Sequence, residues 1–123
     1  MASKTKTKSR LSIQPRVRIL WRSDIAIGPG KAELLALVGE TGSISEAAKR
    51  MKMSYMRAWM LIQTMNGCFK TPVVLTVRGG EHGGGAELTD TGRKALQLYQ
   101  EMEDASLGAV ETSWKKFQQL LRD

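Results

Sequence analysis

The sequence predicts a mainly α-helical domain that carries a small β-hairpin and ends in a long helical extension. Three observations carry that prediction. Gly42 to Gly67 reads as two short helices joined by a tight turn. The apolar run Pro72 to Val77, the glycine-rich stretch 78–85 and Ala86 to Leu88 read as two strands around a loop. Apolar residues then recur at helical spacing from Ala95 to Leu121. Two helices followed by such a wing make a winged helix-turn-helix with a long C-terminal helical extension.

In chain order, residues 1–12 form a polar tail with Lys4, Lys6 and Lys8, too poor in apolar side chains to fold alone. It is expected to be disordered in the free protein. Arg16 to Arg22 alternates basic and apolar residues as a half-buried strand does, and Ser23-Asp24 turns it back onto Ile25 to Ile27. Pro29 heads a first helix to about Glu40, with Leu34, Leu35, Leu37 and Val38 on its buried side and Gly42 as a left-handed cap. Ser43 and Glu46 have the spacing of a capping box, and Ile44, Ala47, Ala48 and Met51 form one apolar face behind it. Ser54 caps the next helix, whose stripe is Ala58, Ile62, Met65 and Phe69.

Thr89 caps the last helix, with Ala95, Leu98, Tyr99, Met102, Ala105 and Ala109 at near-helical spacing. Gly108 is expected to bend or end it. Val110, Trp114, Phe117 and Leu121 then form a second stripe. The domain so delimited runs from 13 to 88, with a dimerisation extension at 89–123 that uses Leu98, Tyr99, Met102, Val110, Trp114 and Phe117. The competing expectation is that this segment folds back on its own domain.

The chain has 19 Lys+Arg against 12 Asp+Glu, a formal charge of +7. Its first 22 residues hold seven basic side chains and no acidic one, so the positive field belongs to the front end and favours a polyanionic partner. A single cysteine, Cys68, excludes an internal disulfide and reads as a small core residue. One histidine and one cysteine leave no metal cluster or nucleophile-base pair, and no carboxylate dyad stands out, so neither an enzyme nor a cofactor is expected. No apolar run is long enough to span a bilayer, and the basic start leads into Leu11 to Trp21 rather than a signal-peptide core, so the expected location is the cytoplasm.

A helix-turn-helix presents the N-terminal residues of its second helix to base edges. With Ala58 and Ile62 in the core, Ser54, Tyr55, Met56, Arg57, Trp59 and Met60 are left to face DNA, and Arg57 is the one able to read guanine bidentately. Tyr55 and Trp59, at i and i+4, can instead widen the core, Trp59 more readily. Lys52 joins this set at the turn. Ser43, Lys49 and Arg50 are candidates for the DNA backbone, and Arg78 and His82 in the wing for an adjacent minor groove or its phosphates.

Thr41 to Lys49, Met53 to Trp59, the Gly79 to Gly85 loop, and Leu88-Thr89 leading to Gly92 together resemble the N-terminal DNA-binding domain of the ModE family. Those are molybdate-responsive bacterial transcriptional regulators related to the LysR winged helix. The resemblance covers roughly residues 16–105. It implies a sequence-specific regulator that binds double-stranded DNA as a homodimer and acts on molybdenum-related genes. Two departures stand out. Lys52 holds the turn position usually given to glycine, which predicts a less left-handed turn or local strain. The family binds molybdate in a separate C-terminal region, whereas this sequence stops at Asp123, so no molybdate is expected to bind to this chain alone. The alternative is a winged-helix protein-interaction module that modulates another regulator without binding DNA.

Overall fold

In the computed structural model, which describes residues 11–77 and 85–122, two small hairpins and four helices follow one another. They are β1 (Ile19–Trp21), β2 (Asp24–Ile27), α1 (Pro29–Thr41), α2 (Ile44–Arg50), α3 (Tyr55–Cys68), β3 (Val74–Val77), β4 (Gly85–Leu88) and α4 (Asp90–Gln118). This is a winged helix-turn-helix with a long C-terminal helix. The tail lysines Lys4, Lys6 and Lys8 and the wing residues Arg78 and His82 lie outside the described residues.

Most of the predicted stops and starts are made by the expected local chemistry. Gly42 adopts φ 72° and its N–H donates to the Val38 carbonyl at 2.8 Å, closing α1 with a left-handed residue that glycine adopts without a Cβ clash. Ser43 Oγ accepts the Glu46 N–H at 3.0 Å. The other half of the box differs from expectation: the Ser43 N–H goes to Thr41 Oγ1 at 3.2 Å, not to Glu46. Thr41 lies closer along the chain, and its hydroxyl also bridges back to the Leu37 carbonyl at 2.8 Å. Ser54 Oγ accepts the Arg57 N–H at 3.0 Å, and Thr89 Oγ1 the Gly92 N–H at 2.9 Å.

Leu34, Leu35 and Val38 of α1, Ala47 and Ala48 of α2, and Ala58, Ile62 and Met65 of α3 form one core with Val73, Val74 and Ala86 of the wing base. The alanines let α2 lie close to both neighbours, which sets α3 firmly behind its outer face. The β3–β4 hairpin pairs Val74 with Leu88 and Val77 with Gly85. It is fastened at its base by Asn66, whose Oδ1 accepts the Val73 and Val74 N–H groups at 2.8 and 3.3 Å and whose Nδ2 donates to the Val74 carbonyl at 3.2 Å. The Ala86 N–H donates to the Gly42 carbonyl at 2.9 Å, tying the wing to the end of α1.

Helix α4 runs unbroken for 29 residues, roughly 43 Å at a rise of about 1.5 Å per residue. Of the bend or stop expected at Gly108, the stop is absent. An exposed mid-helix glycine costs only about 1 kcal/mol, and the flanking turns carry it. A second correction concerns Tyr99, expected on the subunit-contact stripe. It is 1% exposed, buried in the core of its own domain, and its Oη donates to the Val17 carbonyl at 2.7 Å. The segment before β1 thus lies against α4 and takes up the ring that would otherwise face outward.

Candidate functional site

The turn between α2 and α3 ends α2 with a Schellman arrangement. The Met53 N–H donates to the Ala48 carbonyl and the Lys52 N–H to the Lys49 carbonyl, each at 3.0 Å. Lys52 is the left-handed residue this requires, at φ 58°. Of the two expectations for this position, the left-handed and strained one holds, since a lysine Cβ meets the steric penalty glycine avoids. The Lys52 side chain is consequently presented at the surface of the turn, with Lys49 and Arg50 exposed behind it. Arg50 reaches the Glu40 carboxylate at 3.4 Å in an exposed pair. Ser43 is half-buried, its hydroxyl committed to the α2 cap.

Beyond the Ser54 cap, α3 turns Ala58, Ile62 and Met65 fully inward. Met56, Met60 and Gln63, at i, i+4 and i+7, make its outermost stripe, with Met56 61% and Met60 55% exposed. Tyr55 stands half-exposed at the helix start. Trp59 is half-buried and packs on the core, so of the two aromatic residues it is the one that widens the core. Arg57 is exposed but shares its flank of the helix with half-buried Leu61, one turn on, and so projects to one side of the methionine stripe. Gln63 was not singled out from the sequence. Its position seven residues after Met56 is the signal that would have found it.

The dimerisation candidates on α4 divide. Leu98 and Met102 are exposed along the middle of the helix and Phe117 near its end. Val110, Trp114 and Phe117 line a shallow apolar cleft closed on one side by Ile13, and the Trp114 and Phe117 rings stack with centroids 6.4 Å apart. The Tyr99 phenol pKa is raised, first by burial and then by the Glu103 carboxylate, with the Arg18 guanidinium opposing. Among the described residues no three of His, Cys, Asp and Glu converge as a metal site would require, and no helix is long and apolar enough to cross a membrane.

No protein-family model matches the chain. Individual relatives do. The molybdenum-pterin-binding protein MopB of Rhodobacter capsulatus is 40% identical over 98 residues, which cover 80% of this chain and 36% of MopB. The molybdenum transport protein ModE of Azotobacter vinelandii is 41% identical over 78 residues, 63% of this chain and 29% of that protein. The DNA-binding transcriptional dual regulator ModE of Escherichia coli is 41% identical over 71 residues, 58% of this chain and 27% of that protein. The homologues of this chain are thus ModE and MopB proteins, of which it spans between 27% and 36% of the length.

Proposed function

We propose that this chain binds double-stranded DNA in a sequence-specific manner, as part of a transcriptional regulator of molybdenum-related genes. The observation that carries the reading is α3: a helix capped by Ser54, held from behind by α1 and α2, with its whole outer face left uncovered. Tyr55, Met56, Met60 and Gln63 enter the major groove, the methionines giving apolar contact with thymine methyls and Gln63 suiting adenine. Arg57 reaches a guanine from the flank. Lys52, Lys49 and Arg50 meet the phosphates at the turn, and Arg78 and His82 serve the wing. The relatives' names support this reading, since the Escherichia coli protein is described as a DNA-binding regulator.

Two copies associate through residues 89–123, where Leu98, Met102, Val110, Trp114 and Phe117 supply the apolar surface. A two-fold axis through paired α4 helices sets two recognition helices about 34 Å apart on one face of the duplex. Fluorescence titration of a random and a palindromic duplex at several salt concentrations tests the reading. Salt-dependent binding with a preferred site is expected, and no binding at low salt refutes it. One observation favours the second reading, a protein-interaction module: the outermost stripe of α3 carries two exposed methionines and no charge. That reading requires the titration to fail.

A further inference from the structure

In the segment before β1 exposed and half-buried residues alternate, and one anchor sets the alternation. Val17 is half-buried on the core and its carbonyl accepts the Tyr99 hydroxyl, so Arg16 and Arg18 on either side stand exposed. Both arginines line a cleft of about 360 Å³, and so do Lys31 in the first turn of α1 and Arg57 in the first turn of α3. The cleft floor is apolar, made by Ile25, Met51, Met53 and Leu61. Leu61 follows Arg57 by one turn, so the cleft runs along the flank of α3 itself.

Four cations from three parts of the chain therefore surround one cleft, and no carboxylate lines it. Among the described residues none of the four forms an ion pair. Arg16 donates to Gln14 Oε1 at 3.3 Å and Lys31 Nζ to the Ile25 carbonyl, while among the described residues no hydrogen bond engages the guanidinium group of Arg18 or Arg57. Like charges so gathered repel, and an anion seated between them removes that repulsion while meeting the unused guanidinium donors. The apolar floor suits a sugar-phosphate chain better than a fully hydrated small ion, and the continuity with α3 places that chain beside the groove α3 enters.

We propose that this cleft is a binding site for the phosphodiester backbone of duplex DNA, with Arg16, Arg18 and Lys31 as the phosphate ligands and Arg57 at its mouth. The proposal rests on the DNA-binding reading above, but its test separates the two. The full chain and its Arg16→Gln/Arg18→Gln variant are titrated with a preferred and a random duplex over a range of salt. Loss of two phosphate contacts lowers the slope of log K against log salt by about 1.8 units and weakens both duplexes alike. Lys31→Gln, on a different element, lowers it by about 0.9. Lys115→Gln/Lys116→Gln removes the same charge far along α4 and leaves the slope unchanged.

A wild-type chain that does not bind DNA refutes both readings. A wild-type chain that binds, with the slope unchanged in the Arg16/Arg18 and Lys31 variants, overturns the cleft alone. An equal fall in the Lys115/Lys116 variant also overturns it, because the effect is then one of overall charge. Calorimetric titration with inorganic phosphate and with molybdate at physiological salt is expected to give no saturable binding. Stoichiometric micromolar binding that the Arg16→Gln/Arg18→Gln variant abolishes assigns the cleft to a free oxyanion and overturns the proposal.

Discussion

Replacing Lys52 by glycine should make the protein more stable, while replacing it by alanine should not. Lys52 occupies the left-handed slot of the α2 terminus at φ 58°, with both characteristic hydrogen bonds already formed, so neither substitution has a bond to lose. A residue with a Cβ pays roughly 1–2 kcal/mol to sit there. Glycine removes that strain and gives back about 0.5–1 kcal/mol through its freer unfolded chain. The net gain for Lys52→Gly is about 0.5–1 kcal/mol, or roughly 2–5 °C in Tm for a domain of this size. Lys52→Ala keeps the strained Cβ and gains nothing. Both remove the same cation, so the difference between them isolates the backbone. Urea denaturation followed by far-ultraviolet circular dichroism, at one fixed protein concentration, should show the midpoint rising for glycine with an unchanged m value. Equal midpoints for the two variants would refute the strain argument. Both variants should lose DNA affinity together, with a salt slope lower by about one unit.

Arg57→Ala should cost about 1–3 kcal/mol on the preferred duplex and relax selection at one position, read by competition binding with single-base variants. Uniform weakening of all sequences would remove base reading by Arg57. Gly92→Ala should destabilise by about 1–3 kcal/mol, because a Cβ there runs into the Val73 carbonyl group and comes within 3.3 Å of its Cα; an unchanged denaturation midpoint would contradict that packing. Tyr99→Phe should cost about 1 kcal/mol for the lost hydrogen bond to Val17. The raised phenol pKa adds a pH signature: its contribution is complete below the ordinary value of 10.0 and is lost as pH climbs through the folded value, so alkaline melts of wild type should fall more steeply than those of Tyr99→Phe. Sedimentation velocity at micromolar concentration should give a dimer for the chain and a monomer for Met102→Asp/Phe117→Asp; a monomeric wild type would remove α4 as the interface.

The elements were legible because their signals are local. Ser43, Ser54 and Thr89 each sit three residues before the N–H they accept, Gly42 stands where a left-handed residue must, and the apolar stripes of α1 and α3 need only a period of 3.6. The slot at Lys52 was readable too, but the choice between a less left-handed turn and local strain was left to its φ of 58°. Tyr99 was misread for the complementary reason. Its spacing matches Leu98 and Met102 equally well, and only the return of a segment 82 residues earlier in the chain decides that it points inward. The stop expected at Gly108 does not occur because a helix already nucleated on both sides propagates through one glycine.

The basic cleft shows the same limit from the side of function. Arg16 and Arg18 looked like the charged face of a strand and Arg57 like an isolated reader of bases, while nothing in the sequence singled out Lys31. Net charge located positive potential at the front of the chain but gave no direction to it. The direction comes from two tertiary facts: Tyr99 holds Val17, which turns its arginine neighbours outward, and the small α2 alanines bring α1 near enough to α3 for Lys31 and Arg57 to share an opening. A patch built this way is sensitive to packing far from any charge. Loosening the Val17 anchor with Tyr99→Phe should therefore weaken duplex binding and lower the salt slope, although the variant carries every cation of the wild type. An unaltered slope in Tyr99→Phe would mean that Arg16 and Arg18 find the phosphates without being held.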